Sequence, residues 1–520
     1  MKKNSRTKNT IYNFTSSIFG QFITIIMQFV VRTVFIQTLG KSYLGISGLF
    51  SNILSMLSLA ELGVGNAILF KLYDPLSKND EKKINILIKF YKKVYIVIGT
   101  LVAIIGICLI PFLKYMINDY DKLSSLGINA ILIYLLYLLQ SVSSYLFFAY
   151  KSAIVKADQK EYLLNLITYI VTITSSIIQI ILLKLFNNFE LYVIILVLST
   201  IIQNTINACL ANKLYPYIKD KTTEKLEKSE VKNIFKDCGA IFLYRLNGVV
   251  LKATDNIIVS IFLGLEMVGM YSNYYVLYTT INTIFTKVFD SVTHSLGNLH
   301  TTKNTDHEYK IFKTINFIAI ILGATAGIGI FTVSNNFINS WLGGNWILPQ
   351  PFALLMGIEI YTLVSRVYLS KYRNAMGLFQ QAKYRPLFGM IINLVLSIIL
   401  VKHWGICGVL AGTIIADWAT IMWYDPLIIH KYGFENKFKI KNYYLKNLLY
   451  VIITIVLGLI INVISNNLIT NQGWLTVIFH SLICGLIIPT TFILVFYKKE
   501  ECKYITNLIT KFTKKLSHKH

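Results

Sequence analysis

The stretch "QFVVRTVFIQTLG", residues 28–40, places a single arginine inside an apolar run. No charged residue occurs from Asn9 to Val31, or from Thr33 to Gly40. About twenty mainly apolar residues suffice for a helix that crosses a bilayer. An arginine in such a helix costs roughly 2.5–3.5 kcal/mol on insertion scales and is typical of functional positions. The stretch therefore predicts a membrane-spanning helix in which Arg32 has a role.

The composition of the whole chain indicates the same class of protein. The 520 residues are 55 % hydrophobic and only 14 % charged, whereas soluble proteins have about 25 % charged residues. The six cysteines form no CxxC pair, so we predict neither disulfides nor a metal site. The basic start "MKKNSRTKN" precedes an apolar run too long for a signal peptide, which predicts a retained first helix with its N-terminus inside.

Apolar segments of spanning length recur along the chain. The tenth and eleventh are short and are separated by the basic segment 366–386. The fourteen predicted spans are 11–39, 44–70, 94–117, 128–150, 163–186, 191–214, 240–263, 270–297, 314–337, 352–370, 387–402, 405–424, 446–465 and 474–497.

The basic residues are distributed very unequally between the two sides of these spans. With the N-terminus inside, and with residues up to four positions from a span end counted with the adjoining loop, 41 of the 50 Lys and Arg residues lie on the inner side and 5 on the outer side. Such a bias predicts that both termini are cytoplasmic. It also explains the net charge of +25 by contact with anionic lipid headgroups, so nucleic acid is not predicted as a partner. The other four, Arg32, Arg245, Lys252 and Lys287, lie deeper within spans.

The longest inner loop divides the chain into two lobes. We predict an all-α polytopic membrane protein with two six-helix lobes and two C-terminal helices, an organisation common among secondary transporters. The predicted parts are an N-lobe (1–214), a cytoplasmic linker (215–239), a C-lobe (240–424), two extra helices (425–497) and a basic cytoplasmic tail (498–520).

Motifs for nucleotide or metal chemistry are absent from the sequence. A phosphate loop has another glycine five positions before its Gly-Lys pair. The "GKS" at 40–42 lacks it, because phenylalanine occupies that position (Phe35). There is no HExxH motif, and the eight histidines form no ligand cluster. We therefore expect no cofactor and no ATP site, and expect an ion gradient or the membrane potential to supply energy. The short outer loops leave little room for a catalytic domain, so we predict that the protein is not an enzyme.

Polar residues recur at helical spacing along the first span and end at Arg32. They fall within an arc of about 100°, which favours a stripe facing protein or a water-filled cavity. The alternative is that Arg32 snorkels to the outer interface while the other side chains bond neighbouring helices. The stripe consists of Asn13, Ser17, Gln21, Thr24, Gln28 and Arg32.

The seventh span carries more charge than any other. Arg245, Gly248, Lys252 and Asn256 share one face, and Asp255 follows Lys252 at i+3. This face favours a role in substrate binding or energy coupling. The alternative is that the Lys252–Asp255 pair only packs the lobes.

The eighth span has a polar stripe bordered by Lys287. Its cluster "YSNYYVLY" (271–278) either stacks on sugar rings or forms an interfacial aromatic belt. The stripe consists of Tyr275, Thr279, Asn282, Thr286, Asp290 and Thr293.

Basic groups lining a cavity favour an anionic substrate, because low dielectric strengthens the attraction and arginine forks match phosphate. The candidate coupling or ion-pair carboxylates are Asp255, Asp290 and Glu61. Glu61 is alternatively a structural carboxylate at the interface, and the buried charges Glu359 and Asp417 receive no role. The candidate substrate-binding residues are Arg32, Arg245, Lys252, Lys287, Gln28 and Gln21.

Four segments resemble one known family. They are "RTVFIQTLGKSYLG" (32–45), "AELGVGNAI" (60–68), "DNIIVSIFLGLEMVGMYSNYYVL" (255–277) and the small-residue-rich segment 373–416. In this order they resemble the Wzx-like O-antigen and capsule flippases of the multidrug/oligosaccharidyl-lipid/polysaccharide (MOP) flippase superfamily.

The resemblance implies a V-shaped pair of lobes in a bacterial cytoplasmic membrane. It implies alternating access for a polyprenyl-pyrophosphate-linked oligosaccharide, with a polysaccharide polymerase and glycosyltransferases as candidate partners. Basic residues of the first and seventh helices would hold the pyrophosphate, here Arg32 and either Arg245 or Lys252. Many relatives have a basic residue where this chain has Gln37, so the phosphate ligand stays open.

Three other functions compete with this prediction. A lipid II flippase of the same superfamily would share most of these features. A multidrug cation antiporter would have mainly acidic cavity residues, whereas here the basic ones dominate. An integral membrane glycosyltransferase or polymerase would have a large outer loop with catalytic polar residues, which the sequence lacks.

Overall fold

The computed structural model describes residues 3–506, except 59–63, 119, 122, 124–126, 221–223, 225, 233, 235–253, 302–303, 379 and 469–472. No strand occurs in these described parts, and a 3-10 turn with the one-turn helix Leu113–Met116 prolongs α4. The helices are α1 (Lys3–Leu39), α2 (Lys41–Leu57), α3 (Val64–Lys78), α4 (Glu81–Leu109), α5 (Ala130–Leu146), α6 (Ser152–Ala157), α7 (Glu161–Phe186), α8 (Phe189–Leu214), α9 (Thr254–Leu263), α10 (Leu265–Thr301), α11 (Thr305–Leu342), α12 (Gln350–Ala375), α13 (Arg385–Trp404), α14 (Ile406–Ile428), α15 (Ile440–Leu468) and α16 (Trp474–Phe496).

These helices confirm the predicted class, an all-α polytopic membrane protein. Within the described residues, ten helices are long and apolar enough to cross a membrane, or eleven if a pair bent by 41° counts as one span. The predicted number of fourteen is not confirmed. Predicted span 44–70 is interrupted by undescribed residues between α2 and α3, and most of span 240–263 is undescribed. Helix α10 has 37 residues but is not among these ten helices, because its polar stripe lowers its mean hydropathy.

Helix α12 contains the predicted tenth span and continues into the basic segment that follows it. We predicted a span over 352–370 followed by a basic segment, and the helix extends over Gln350–Ala375. The charges at its end do not break the helix, because carboxylates of neighbouring helices neutralise them. Arg366 pairs with Asp417, and Arg373 pairs with Asp425.

The chain divides into two compact units, Met1–Gly269 and Met270–His520. The predicted linker 215–239 lies partly outside the described residues. The predicted lobe boundaries therefore stay a prediction.

In the first unit, long helices pack side by side around a shared core. Helix α1 packs on α7, α7 on α8, α8 on α5, and α5 on α4. Gly20 makes room for the Tyr169 ring of α7, because a Cβ at Gly20 would lie 1.7 Å from that ring. Side chains on the other faces, such as Phe22 and Ile26, stay exposed, as lipid-facing residues do.

Two of the segments that carried the family resemblance meet at glycines in this unit. A Cβ on Gly45 of α2 would lie 2.0 Å from the carbonyl oxygen of Leu265, and one on Gly269 would lie 2.5 Å from that of Lys41. Backbones this close leave no space for any side chain. Gly40, between α1 and α2, has φ +87°, a conformation that glycine adopts without strain.

The second unit is built around α11 and α12. Helix α11 packs on α12, α15 and α16, while α14 lies between α12 and α13. In α12, 72 % of the residues of the most apolar stretch are buried, against 22 % in α15 and 28 % in α16. Helix α12 is therefore enclosed by protein, and any charge on it must be neutralised by other helices.

The two C-terminal helices α15 and α16 belong to this unit. They bury aromatic and aliphatic side chains against α11, among them Tyr450, Ile461, Ile488 and Phe492 packed around Phe317. Tyr450 and Phe492 are each 1 % exposed or less. Helices α15 and α16 thus contribute to the hydrophobic core of the second unit.

We expect Gly45→Ala to destabilise the protein, because the new methyl group would overlap the Leu265 carbonyl. Overpacking typically costs about 1–3 kcal/mol, and backbone atoms cannot rotate away as a side chain can. The measurement is the thermal unfolding midpoint of the detergent-purified protein. Gly48→Ala in the same helix is the control, since its Cβ would lie 3.6 Å from Val268, an ordinary contact. Equal unfolding temperatures for the two variants would contradict this account.

Candidate functional site

Arg32 lies in the second half of α1 and is half-buried. It is within electrostatic range of the Tyr192 hydroxyl of α8. The Tyr192 ring packs edge-on against Phe35, with 4.9 Å between ring centroids, and lies 6.2 Å from the Phe189 ring. The aromatic packing thus holds the Tyr192 phenol within electrostatic range of the guanidinium.

The polar contacts continue from Tyr192 into two more helices. Tyr192 is within electrostatic range of Tyr137 of α5, whose hydroxyl lies 2.7 Å from the Ser47 hydroxyl of α2. We call Arg32, Tyr192, Tyr137 and Ser47 the arginine–tyrosine cluster. It combines one cation with three hydroxyls contributed by different helices, a set of donors suited to an oxyanion.

The polar stripe of α1 is only partly covered by protein. Gln28 is exposed, Gln21 is half-buried, and Thr24 donates a hydrogen bond to the Gly20 carbonyl at 2.8 Å. The side chains of Asn13 and Ser17 are not described. Whether the stripe lines a cavity or bonds neighbouring helices therefore stays a prediction.

Three predicted site residues lie outside the described residues: Arg245, Lys252 and Glu61. Their roles, including that of the predicted Lys252–Asp255 pair, stay predictions. Asp255 itself lies in the first turn of α9.

The charged site residues predicted on α10 have exposed side chains. Lys287 is exposed. Asp290 forms an ion pair with Lys371 of α12, in which the Asp290 side chain is 51 % exposed. Exposed pairs of this kind contribute about 0–1 kcal/mol, so this one does little to hold the helices together.

A second polar cluster lies in the enclosed part of the second unit. Arg366 of α12 donates to Asp417 Oδ2 of α14 and, at 2.8 Å, to the Tyr278 hydroxyl of α10. Tyr278 donates in turn to Glu359 Oε1 at 3.2 Å, and Arg366 Nη2 lies 3.6 Å from that same oxygen. We call Glu359, Arg366, Asp417 and Tyr278 the carboxylate–arginine cluster.

This cluster contains two carboxylates and one guanidinium. Glu359 is 2 % exposed and Asp417 is 4 % exposed. Glu359 Oε2 is buried and accepts no hydrogen bond from any residue that the structure describes. Buried carboxylates normally have their oxygens satisfied, so this oxygen is a position where a proton would be stabilising.

The sequence predicted some members of this cluster and missed others. Glu359 and Asp417 were recognised as charges within spans but received no role. Arg366 was missed because it was counted with the basic segment 366–386. Its spacing of seven residues from Glu359 places both on one helix face, and that is the signal that could have identified the pair.

The tyrosines of the predicted aromatic cluster make contacts within the second unit. The Tyr274 hydroxyl donates to Asn335 Oδ1 at 2.6 Å and accepts from the Leu348 backbone N–H at 3.0 Å. Tyr275 and Tyr278 stack, with centroids 5.4 Å apart. The rings therefore pack against protein and support the carboxylate–arginine cluster.

A third charged group joins the ends of three helices in the same unit. Arg373, near the end of α12, and Arg385, at the start of α13, both pair with Asp425 of α14. Arg373 and Asp425 are at most 1 % exposed. Breaking a buried pair leaves an uncompensated charge, which costs about 3–5 kcal/mol.

We expect Asp425→Asn to reduce the unfolding temperature sharply, because two buried arginines would lose their counter-ion. The measurement is thermal unfolding of the purified protein together with its yield from membranes. Asp306→Asn is the control, since Asp306 pairs with Lys437 at 2.6 Å where both side chains are at least half exposed. A similar loss in both variants would show that burial does not decide the effect.

Comparison with solved structures identifies the class of protein that this fold defines. The lipid II flippase MurJ in its inward closed conformation has a TM-score of 0.67 at 16 % identity, over 93 % of this chain and 100 % of that chain. An inward-facing multidrug resistance MATE family transporter of the MOP superfamily has 0.60 at 12 % identity, over 80 % and 96 %. A Vibrio cholerae MATE transporter, VcmN, has 0.52 at 14 % identity, over 83 % and 100 %. The chain thus has the fold of multi-pass MOP transporters.

The family follows from the sequence. A family model described as "Polysaccharide biosynthesis protein" matches residues 8–293, more than half of the chain. The protein therefore belongs to the polysaccharide biosynthesis protein family, which confirms the predicted resemblance. No curated protein matches the chain by sequence.

Proposed function

We propose that the protein is a flippase that moves a polyprenyl-pyrophosphate-linked oligosaccharide repeat unit across the cytoplasmic membrane. It would work by alternating access, without catalysing a covalent reaction, in the assembly of capsule, exopolysaccharide or O-antigen-type polymers. The observation that carries the proposal is the family match over residues 8–293, in a chain with a transporter fold.

The arginine–tyrosine cluster supports a pyrophosphate headgroup. Arginine presents paired N–H donors that match phosphate oxygens. The Tyr192 hydroxyl beside Arg32 can add a further donor. In a site with little water these contacts are stronger than in bulk solvent.

The polar stripes support the sugar part of the substrate. Gln21 and Gln28 offer amide groups along α1, and Gln28 is exposed. Amides pair with sugar hydroxyls as both donors and acceptors. The lipid tail would stay in the bilayer, so only the headgroup needs a polar path.

We place the protein in a bacterial cytoplasmic membrane with both termini cytoplasmic, in keeping with the distribution of Lys and Arg. Glycosyltransferases would supply the substrate on the inner side, and a polymerase would use it on the outer side. An ion gradient or the membrane potential would drive the cycle.

Two experiments test the proposal. Deletion of the gene should abolish surface polysaccharide while growth continues, whereas a lipid II flippase would be required for growth. Purified protein in liposomes should move a fluorescent polyprenyl-pyrophosphate oligosaccharide between leaflets. Movement of lipid II alone, or of neither lipid, would contradict the proposal.

We expect Arg32→Ala to slow flipping by about 10- to 100-fold, the equivalent of losing one hydrogen bond to a charged group. Arg32→Lys keeps the charge but loses the paired N–H donors of the guanidinium, so it should slow flipping less than Arg32→Ala does. Both rates are measured in liposomes with matched protein content.

Lys184→Ala is the matched control for Arg32. Lys184 is an exposed basic residue near the end of α7, the helix on which α1 packs. Loss of a positive charge by itself would slow both variants equally. Full activity of Arg32→Ala would exclude Arg32 as a substrate ligand and leave Arg245 and Lys252 as the candidates for the pyrophosphate contact.

A further inference from the structure

We propose that the carboxylate–arginine cluster is a proton-binding site, with Glu359 as the group that takes up and releases the proton that drives transport. The role of this proton in driving transport rests on the proposed function. The binding site itself follows from the arrangement of Glu359, Arg366, Asp417 and Tyr278.

The charge balance of the cluster provides the first argument. With both carboxylates ionised, the four residues have a net charge of −1, and the field of Arg385 offsets it at Asp417, so Glu359 is the less compensated carboxylate. An unbalanced buried charge is costly, and such groups neutralise by taking up a proton. One added proton makes the cluster neutral while Arg366 keeps its charge.

The hydrogen bonds indicate which carboxylate takes the proton. Asp417 accepts directly from Arg366 and also lies in the field of Arg385, so its ionised form is stabilised twice. Glu359 lies 3.6 Å from Arg366 and accepts one hydrogen bond, from Tyr278. Its other oxygen, Oε2, is the buried atom without a described donor, and the proton would reside there.

Among the described residues, the groups that act on Glu359 and Asp417 come from four helices. Helix α10 contributes the hydroxyl of Tyr278, α12 contributes Glu359 and Arg366, α14 contributes Asp417, and α13 contributes the field of Arg385. Helix α11, which packs on α12, has no charged residue from 314 to 342.

A metal cation is a poor alternative occupant. The Arg366 guanidinium contacts both carboxylate side chains and would repel it. Within the described residues, no group of three His, Cys, Asp or Glu side chains could hold a metal ion. The Arg366 side chain is 22 % exposed, so the cluster reaches the surface of the unit, and the proposal requires that this surface meets water during the transport cycle.

Protonation would change how three helices are held together. When Glu359 is ionised, it attracts Arg366 and accepts from Tyr278, which ties α10 to α12. When a proton from water bonds to Oε2, Glu359 becomes neutral and Arg366 pairs with Asp417 alone. The strength of the α10–α12 contact thus depends on the proton, as a coupling element requires.

Infrared difference spectroscopy of the protein in nanodiscs tests the site directly, without any transport assay. Wild-type protein should show the carbonyl stretching band of a protonated carboxyl group that appears on acidification. Glu359→Gln should lose this band, whereas Asp417→Asn should keep it. Tyr278→Phe, which removes only a hydroxyl, should shift the band to higher frequency, because a hydrogen bond to the carbonyl is lost.

Several outcomes would overturn the proposal. They are an unchanged band in Glu359→Gln, a band that is lost only in Asp417→Asn, and a band that responds to Na⁺ at constant pH. If Glu359→Gln fails to fold, an unshifted band in folded Tyr278→Phe protein would exclude Glu359 as the origin.

Liposomes with an imposed pH gradient then test the coupling. The ratio of flipping rates with and without the gradient should exceed one for the wild type and fall to one for Glu359→Gln. A ratio that is unchanged in this variant would refute the coupling role. If wild-type protein moves no lipid-linked oligosaccharide, the proposed function fails, but the titrating band would still establish the proton site.

Discussion

A charge inside a membrane protein has no water to solvate it, and this constraint governs the second unit. Helix α12 is its most enclosed helix and nevertheless carries Glu359, Arg366 and Arg373. Each of these finds an oppositely charged group within 4 Å. Neighbouring helices must therefore be present, in register, before α12 can be buried, and the charges select one arrangement among the many that apolar packing would allow.

The first unit relies on close backbone contact instead. Gly45 and Gly269 let α2 approach the start of α10 so closely that no side chain fits between them. Within a bilayer the hydrophobic effect does not drive helices together, so tight packing and hydrogen bonds provide the stabilisation. This explains why two segments far apart in sequence both carry the pattern by which the family is identified.

The candidate sites differ in how far the sequence could predict them. Arg32 was identifiable because it interrupts an apolar run, and its environment in the arginine–tyrosine cluster agrees with a polar role. Arg366 was counted with the basic segment 366–386, since the sequence "RVYLSKYR" alone cannot reveal that carboxylates on α14 neutralise its charges. Glu359 and Asp417 were visible as buried charges, but nothing in the sequence paired residues that lie 58 positions apart.

The sequence by itself determined that the chain is helical and membrane-embedded, because apolar length and the distribution of Lys and Arg depend on local composition alone. It also determined the family, through short ordered motifs. Only the tertiary structure decided which charges share a site, how long α12 is, and which oxygen of Glu359 lacks a donor. Those properties depend on distances between helices remote in sequence, and the partner that neutralises a charge cannot be recognised from the residues beside it.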